Sequence, residues 1–391
     1  MRICFISYEY PPDTGIGGIA TYILQITSLF SKKGVDVEVI CGSKNRSGTE
    51  VISDSYTITR IRCLNQEAFN TLFSKVVRDR HRLKPFDLAE IPEYGAGALF
   101  IEQEIKEIPL IVKLHTPRFL IKQINDFYYD QKPLRKLMNF FKGSYQKEKD
   151  PEYQSTLKAD HIISPSVSLK EIVSSTWNIP AEKIIHAPSP YQPNENFFSI
   201  DINGSSQTIL YIGRLETRKG VWNLAKAIPL VLKNNPDAKF IFVGKDSKGP
   251  HREKSMKKLM LSEIGDFEEN VTFIDHVQIT EIPGYLSKAG ICVFPSIWEN
   301  FPNVCLEAMA AGRGIIASQN GGMRDMLEDN QAGLLVDPHN VDIIAESIIH
   351  LLQHSMERIQ MAKAGRNKVK DYYNDRLVNE LISLYESFIK K

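Results

Sequence analysis

Residues 210–227 read LYIGRLETRKGVWNLAKA, and this stretch predicts how the chain folds. A short apolar run ends at Gly213, a turn containing Arg214 and Lys219 follows, and a helical segment begins after the turn. A buried strand that passes through a turn into a helix is the repeating unit of parallel α/β sheets.

The same alternation of short apolar runs and longer helical segments occurs in both halves of the chain. In the first half the predicted strands are RICFIS (2–7), VDVEVIC (35–41), FDLAEI (86–91), PLIVKL (109–114) and HIISPS (161–166). In the second half they are TILYIG (208–213), AKFIFVG (238–244), VTFID (271–275), ICVFPS (291–296), GIIAS (314–318) and AGLLV (332–336). Nearly continuous apolar strands joined by helices indicate parallel sheets that are covered on both faces.

The chain has 391 residues, which is too long for one ordinary core, so two domains are expected. The segment 186–207 is rich in Pro, Asn and Ser and is typical of a linker. We predict two Rossmann-like, doubly wound α/β domains over 1–190 and 191–370, and a final amphipathic helix over 371–391 that packs back on the first domain. Two such sheets facing one another across a cleft would line it with strand carboxyl ends and helix N-termini, where α/β proteins bind ligands.

Composition narrows the class of protein. The chain is 42% hydrophobic and 24% charged, as in ordinary globular proteins, and its net charge of +1 gives no argument for a nucleic-acid partner. No apolar run approaches ~18 residues, so no membrane-spanning helix is expected. The N-terminus has too short an apolar run for a signal peptide. The five cysteines form no CxxC pair, which favours reduced, packed thiols in a cytoplasmic protein.

A glycine-rich loop, YEYPPDTGIGGIATY (8–22), precedes the first predicted helix. Gly15, Gly17 and Ala20 match the dinucleotide-binding fingerprint by their letters. However, YEYPPDT separates them from the strand, and Glu38 lies inside the second strand rather than at its end, so a dehydrogenase is discounted. Glycines at such a place let the backbone approach a phosphate or a sugar, although a flexible turn would have the same composition.

Two further stretches carry polar side chains at the predicted carboxyl ends of strands. Arg214 and Lys219 lie five residues apart in a turn that opens a helix, which suits a pyrophosphate, with an ordinary solvated basic loop as the alternative. His115 directly follows PLIVKL. A single histidine is usually structural or faces solvent, but this position favours contact with a ligand.

The stretch PSIWENFPNVCLEAMAAGRG (295–314) holds two glutamates eight positions apart. Glu307 is expected in the first turns of a helix that begins near Val304, where the helix dipole would stabilise a carboxylate. That argument does not explain Glu299, which lies on the loop before the helix. Carboxylates accept hydrogen bonds from hydroxyls and backbone N–H groups donate to them, so the loop suits a polyhydroxyl ligand.

Taken in order, these stretches resemble the retaining glycosyltransferases of family 4, which have the GT-B fold. The resemblance rests on the two glutamates followed by LEAMAAG, on GRLETRKG, on PPDTGIGGIATY and on the histidine after PLIVKL. It implies transfer of a hexosyl unit from a nucleotide sugar to an acceptor hydroxyl, with the anomeric configuration retained. It also implies that no protein nucleophile, metal ion or other cofactor is needed, in keeping with the absence of a D-x-D motif from the sequence.

The resemblance assigns roles to individual residues. Arg214 and Lys219 would hold the donor diphosphate and stabilise its charge as it leaves. Glu307 would accept hydrogen bonds from the ribose hydroxyls, whereas Glu299 and His115 would lie beside the transferred sugar. The other predicted contacts are Gly17 and Gly18 with the diphosphate and sugar, His276 and Val277 with the base, and Phe301, Pro302, Asn303 and Val304 with the sugar hydroxyls. Many members have E-G-F-G where this chain has E-N-F-P, and Pro302 has no N–H to donate.

The identity of the substrates is less constrained. UDP-glucose is preferred over GDP-mannose as the donor, and a glycan or lipid-linked acceptor in polysaccharide or cell-envelope synthesis is expected. The alternatives are a GDP-mannose-dependent mannosyltransferase, a sugar-nucleotide epimerase and a non-catalytic regulator that binds nucleotide sugars. Basic residues mixed with aromatics over 118–149, and the basic run at 75–84, raise the hypothesis of peripheral contact with the inner face of the cell membrane. Ordinary solvated helices are the alternative.

Overall fold

The computed structural model describes residues 1–15, 17–101, 105–129, 145–202, 207–249, 255–327 and 331–389. It divides into two compact units. Unit 1 consists of the described residues of Met1–Arg118, Tyr145–Gln192 and Tyr372–Lys391, and unit 2 of those of Phe119–Ser144 and Pro193–Asp371. The final segment of the chain thus belongs to the first unit.

The described part of unit 1 contains a sheet of eight strands. They are β1 (Arg2–Ser7), β2 (Asp36–Ser43), β3 (Gly48–Ser53), β4 (Tyr56–Arg62), β5 (Leu88–Pro92), β6 (Leu110–Lys113), β7 (His161–Ser164) and β8 (Ile184–His186). Their order is β3-β4-β2-β1-β5-β6-β7-β8. All neighbours run parallel except β3 and β4, which form an antiparallel hairpin.

The described part of unit 2 contains a sheet of six parallel strands. They are β9 (Thr208–Ile212), β10 (Lys239–Val243), β11 (Val271–Ile274), β12 (Ile291–Phe294), β13 (Gly314–Ser318) and β14 (Leu334–Val336), in the order β11-β10-β9-β12-β13-β14. The central strands β9 and β12 are neighbours although about eighty residues separate them, so the loops that follow them meet at one edge of the sheet.

The helices of the described residues connect and flank these strands. They are α1 (Gly18–Lys32), α2 (Gln66–Leu83), α3 (Arg118–Tyr129), α4 (Pro151–Thr156), α5 (Val167–Trp177), α6 (Val221–Asn234), α7 (Met256–Ile264), α8 (Ile282–Lys288), α9 (Asn303–Ala310), α10 (Gly322–Leu327), α11 (Val341–Gln353), α12 (Ser355–Lys368) and α13 (Asp375–Ser387). None of them is long and apolar enough to cross a membrane.

Each unit has its own hydrophobic core. In unit 1, every residue of β1 is buried, and α1 buries Ile23, Ile26 and Phe30 against the sheet. Helix α13 adds Leu381 and Tyr385 to the same core. In unit 2, α6 and α11 bury their apolar faces against β9 and its neighbours. Full burial of one large apolar side chain is worth roughly 1.5–3 kcal/mol, so a helix that buries several is firmly attached.

The structure confirms the predicted fold class, since both units are α/β with parallel sheets. The predicted strands are all present, with ends that differ by up to two residues. The sequence analysis missed β3, β4 and β8. Every side chain of β3 is exposed, so its sequence shows no periodic pattern of apolar residues. Strand β8 is only three residues long. All five cysteines are buried and free, as predicted.

Candidate functional site

Two loops of unit 2 are pressed together at the carboxyl ends of β9 and β12. Gly220 ends the loop after β9 with a φ of 67°, and a Cβ built there would lie 1.7 Å from the carbonyl oxygen of Pro295. The backbone N–H of Ile297 donates to the carbonyl of Arg218 at 2.8 Å. Only glycine permits this approach of two backbones. It brings the basic turn predicted to hold a diphosphate against the loop that carries Glu299.

The backbone of Glu299 is also fixed from its other side. Gly321 has a φ of 76°, and a Cβ there would lie 2.1 Å from the carbonyl oxygen of Glu299. The N–H of Gly322 donates to the same carbonyl at 2.8 Å. Backbone contacts with the loops on both sides therefore fix the position of Glu299, independently of its side chain.

The side chain of Glu299 forms ion pairs with two cations. Lys219 contacts it closely, and the Nη1 atom of Arg218 lies 3.1 Å from its Oε1 atom. Burial would raise the pKa of Glu299, but the charges of Lys219 and Arg218 lower it to about 2. Burial lowers the pKa of Lys219, against the opposing effect of the Glu299 charge. The predicted residues Lys219 and Glu299 are thus in direct contact.

A second carboxylate, Glu216, extends the same cluster towards solvent. It lies 2.9 Å from Arg218 and 3.4 Å from Arg214. Arg214 is 62% exposed and holds the outer end of the cluster. Three cations against two carboxylates leave one net positive charge, with the exposed guanidinium of Arg214 at the rim. Such a site can hold a polyanion.

Arg218 is the residue that the sequence analysis missed. Besides bridging the two glutamates, its Nη1 atom donates to the carbonyl of Trp298 at 3.1 Å. The signal in the sequence was its position beside Lys219 in ETRKG, but a basic residue in a turn is most often solvated. Its pairing with Glu299 spans 81 positions and follows only from the contact of the two loops.

Glu307 lies in the second turn of its helix, within the first turns where the sequence placed it. It is the fifth residue of α9, which begins at Asn303. The helix dipole at the N-terminus therefore does not explain it. Its side chain is partly buried, burial raises its pKa to about 7, and it has no side-chain hydrogen bond or ion pair with another described residue. This carboxylate is available to a ligand.

The loop between the two glutamates leads directly into α9. Pro302 is its buried N-cap residue, and Asn303 and Val304 are its first two residues. The first N–H groups of a helix have no partner within it, so those of Asn303 and Val304 are suited to accepting atoms of a ligand. Phe301 is partly buried just before them.

The two residues predicted to hold a nucleotide base lie at the edge of the sheet. His276 and Val277 follow β11, which is the edge strand and is separated from β9 by β10. His276 is exposed, and its backbone N–H donates to the side chain of Asp275 at 2.7 Å. His276 and Val277 therefore lie at the same carboxyl edge of the sheet as the ion-pair cluster of Lys219 and Glu299, but at the β11 end of that edge.

In unit 1, the glycine loop opens α1 as expected. Gly17 is the N-cap residue, and Gly18 is the first residue of the helix. A Cβ at Gly18 would meet nothing within 4 Å, whereas one at Gly17 would lie 3.1 Å from the carboxylate of Glu9. Gly18 thus has open space in front of its backbone. Glu38, whose position inside the second predicted strand argued against a dehydrogenase, is buried in β2 and paired with Arg2 and Arg80.

His115 lies just beyond β6, at the carboxyl edge of the unit 1 sheet. Its backbone N–H donates to Glu93 at 2.8 Å, and its ring packs edge-on against Tyr22 with centroids 5.4 Å apart. Its Nε2 atom is buried and has no hydrogen-bond partner among the described residues. A buried ring nitrogen without a partner is suited to a ligand.

The two basic segments give little support to a membrane-binding surface. In the run 75–84, Arg80 turns inward to Glu38 at 2.6 Å, and Lys84 pairs with Asp36. The segment 118–149 falls largely outside the described residues, which omit 130–144. In the part of the chain that is described, no group of three His, Cys, Asp or Glu side chains is placed to hold a metal ion.

Comparison with known families matches nearly the whole chain. Residues 16–194 match the model described as Glycosyltransferase Family 4, and residues 192–368 match the model described as Glycosyl transferases group 1. An uncharacterized glycosyltransferase of Methanocaldococcus jannaschii is 24% identical, over 99% of this chain and 98% of that protein.

Solved structures with the same fold cover the chain from end to end. Sucrose-phosphate synthase from Thermosynechococcus elongatus superposes with a TM-score of 0.76 at 20% identity, covering 99% of this chain and 98% of that one. The Anabaena protein Alr3699/HepE in complex with UDP-glucose gives a TM-score of 0.68 at 17% identity, with 99% of both chains covered.

Proposed function

The chain belongs to glycosyltransferase family 4 and has the GT-B fold, and from this we propose that it transfers a hexosyl unit from a nucleotide sugar to an acceptor hydroxyl. UDP-glucose is the proposed donor, and the anomeric configuration is retained. The acceptor is a glycan or a lipid-linked intermediate of polysaccharide or cell-envelope synthesis.

The cluster of Arg214, Arg218 and Lys219 at the end of β9 is the observation that carries this proposal. Departure of a nucleoside diphosphate leaves negative charge on the leaving group, and preorganised cations in a buried site stabilise such charge well. Lys219 and Arg218 are held in place by Glu299 before the donor binds. Cations so placed can serve in place of a metal ion, and we propose that the reaction needs none.

The remaining predicted residues fit the rest of the donor. Glu307, whose side chain has no partner among the described residues, accepts hydrogen bonds from the ribose hydroxyls, and His276 and Val277 contact the base. The N–H groups of Asn303 and Val304, next to Phe301 and Pro302, bind hydroxyls of the sugar. In unit 1, Gly17 and Gly18 approach the diphosphate and sugar, and His115 contacts the sugar.

Glu299 is a poor nucleophile in this arrangement. Its carboxylate is paired with two cations, and this pairing lowers its nucleophilicity towards the sugar. This supports a front-face reaction, in which the leaving phosphate takes the acceptor proton and retention needs no covalent intermediate.

The choice of UDP-glucose is supported by one relative of similar fold, whose solved complex contains that molecule. GDP-mannose is the competing donor. Isothermal titration with UDP, GDP and ADP decides the base, because the diphosphate is common to all three. Tightest binding of GDP would replace UDP-glucose by GDP-mannose in the proposal.

Nucleoside diphosphate release from a panel of UDP- and GDP-sugars, with and without glycan acceptors, tests the reaction. We expect release that depends on the acceptor, persists in EDTA and gives a product with the donor's anomeric configuration by NMR. Conversion of the nucleotide sugar without diphosphate release would indicate an epimerase instead. Binding without any turnover would indicate a regulator.

The proposed site of action is the cytoplasm, with peripheral contact at the inner face of the membrane as the route to a lipid-linked acceptor. On α2, the exposed side chains of Lys75, Arg82 and Leu83 are the ones that would make this contact. Sedimentation with anionic vesicles at low and high salt tests it. Absence of binding to the vesicles at low salt would exclude the peripheral membrane contact.

A further inference from the structure

Glu93 is a buried carboxylate that uses only one of its two oxygens. It follows β5, its side chain is 0% exposed, and its Oε2 atom accepts a hydrogen bond from the backbone N–H of His115 at 2.8 Å. Its Oε1 atom is buried and has no hydrogen-bond partner among the described residues. Burial of a charged oxygen without a partner costs several kcal/mol, so such atoms usually await a ligand or a water molecule.

The unpaired ring nitrogen of His115, Nε2, is also a hydrogen-bond acceptor. Its Nδ1 atom lies 3.0 Å from the carbonyl oxygen of Lys113, which can only accept, so Nδ1 carries the proton. In the neutral ring Nε2 is then an acceptor, and it too is buried and unpaired within the described residues. The two side chains touch, with Nδ1 3.4 Å from Glu93. Each of these two touching side chains therefore has one acceptor left free, Oε1 in Glu93 and Nε2 in His115.

A second glutamate holds both loops that carry these groups. Glu152, near the start of α4, accepts from the N–H of Gly95 at 3.1 Å and from the N–H of Arg118 at 2.7 Å. Gly95 lies two residues after Glu93, and Arg118 three residues after His115. Both oxygens of Glu152 are thus used in fixing the backbone. The acceptor pair is preorganised before a ligand binds.

We propose that Glu93 is a further substrate-binding residue, whose free oxygen accepts a hydrogen bond from a sugar hydroxyl beside the one bound by His115. Glu152 is a positioning residue for both. Two adjacent acceptors bind the hydroxyls of a diol, and the charge of Glu93 repels phosphate and carboxylate groups. The inference rests on the proposed glycosyltransferase reaction and names a sugar-specific contact in unit 1.

The variant Glu93→Gln isolates this role from a purely structural one. Its amide oxygen must face the N–H of His115, because two donors cannot share a hydrogen bond. The amide NH₂ then takes the place of the free oxygen, so the loop stays in place while the acceptor becomes a donor and its charge is lost. A hydrogen bond to a charged group of this kind corresponds to about 10- to 100-fold in kcat/KM.

The experiment compares wild type and Glu93→Gln in titrations with UDP and with UDP-glucose, and in UDP release. We expect unchanged UDP affinity, loss of the extra affinity that glucose adds, and the stated fall in kcat/KM. If UDP-glucose binding is intact and only transfer falls, the hydroxyl belongs to the acceptor sugar. Both results support a hydroxyl contact by Glu93.

Asp160→Asn is the matched control. Asp160 also accepts a backbone N–H of β6, that of Leu110 at 2.9 Å, but at the opposite end of the strand. We expect this variant to keep wild-type kcat/KM. Equal kcat/KM for Glu93→Gln and wild type would overturn the inference while leaving the reaction intact. Failure of the wild-type protein to release any nucleoside diphosphate would overturn the proposed function and this inference together.

Discussion

Lys219 and Arg218 share one carboxylate, and this sharing decides how the cluster responds to a ligand. Both bind Glu299, and Arg218 also binds Glu216. When a diphosphate draws Lys219 away, Glu299 keeps Arg218 as its partner and is not left as an unpaired buried charge, which would be costly. In the proposed reaction, Arg218 would thereby leave Lys219 available to the leaving group.

Replacing Lys219 by alanine should nearly abolish turnover while leaving the fold intact. Arg218 still neutralises Glu299 in the variant. The leaving group, however, loses the preorganised positive charge of Lys219. We expect kcat to fall about 10²- to 10³-fold, as when one preorganised donor is removed elsewhere. Nucleoside diphosphate release measures the rate, and thermal unfolding checks the fold.

Lys233→Ala is the control for this substitution, because Lys233 is an exposed lysine in the last turn of α6. It should retain wild-type turnover. Rates for Lys219→Ala that match those of the control would remove Lys219 from the diphosphate site.

We expect donor binding to depend on pH through Glu307. Burial raises its pKa to about 7, so its carboxyl group is largely protonated at pH 6 and ionised at pH 8. The ionised form is the better acceptor for ribose hydroxyls, and the affinity for UDP should therefore rise about tenfold from pH 6 to pH 8. The folded protein, with this pKa above the unfolded value, should lose stability over the same rise.

Isothermal titration of UDP at both pH values measures the effect on binding. Glu307→Gln removes the titrating group, whereas the ionisation of UDP itself is common to both proteins. A slope that is equal in the two proteins would show that Glu307 does not contact the ribose.

At the scale of elements, the site depends on the contact between the loops after β9 and β12. The backbone approach at Gly220 leaves no room for a side chain, since a Cβ would lie 1.7 Å from the oxygen of Pro295. Gly220→Ala should therefore push the loops apart, separate Arg218 and Lys219 from Glu299, and greatly reduce turnover. Left-handed strain adds about 1–3 kcal/mol of destabilisation.

Gly34→Ala is the control, because it introduces left-handed backbone strain without a steric clash. Gly34 has a φ of 82°, but a Cβ there meets nothing within 4 Å. Its variant should lose only stability, by the same ~1–3 kcal/mol of left-handed strain, and keep its activity. Chemical denaturation and UDP release of both variants provide the comparison. Equal activity of the two would show that the loop contact is not needed.

The sequence predicted the elements better than it predicted their contacts. Apolar runs such as TILYI and ICVF are buried on both faces, so their composition alone identifies them as strands of a parallel sheet. Strand β3 could not be found in this way, because all its side chains are exposed. The ion pair of Arg218 with Glu299 joins positions 81 apart and depends on a backbone contact at Gly220. Local patterns carry no information about such a contact.

At the scale of the whole molecule, the last helix completes the first unit. Tyr385 donates to the buried carboxylate of Glu90, which also accepts from Tyr22 at 3.0 Å. Burial raises the pKa of Glu90, and its hydrogen bonds oppose that rise. The hydroxyl of one tyrosine near the C-terminus is therefore part of a core formed by the beginning of the chain.

Tyr385→Phe should destabilise unit 1 by about 1–3 kcal/mol, because a buried carboxylate loses one donor. Tyr8→Phe is the control, since its hydroxyl makes an exposed 3.2 Å hydrogen bond to the carbonyl of Leu64 and its loss should cost about 0.5 kcal/mol or less. Urea unfolding followed by circular dichroism measures both. Equal stability of the two variants would show that α13 does not contribute through Glu90.

The return of α13 also sets an order of events during synthesis. The strands of unit 1 precede 193–371 in the sequence, yet Tyr385 is translated only after all of 193–371. Until then Glu90 lacks one of its donors, and the apolar surface of α1 that meets Leu381 and Tyr385 stays uncovered. The core of unit 1 is therefore completed by a helix that is translated after the described part of unit 2.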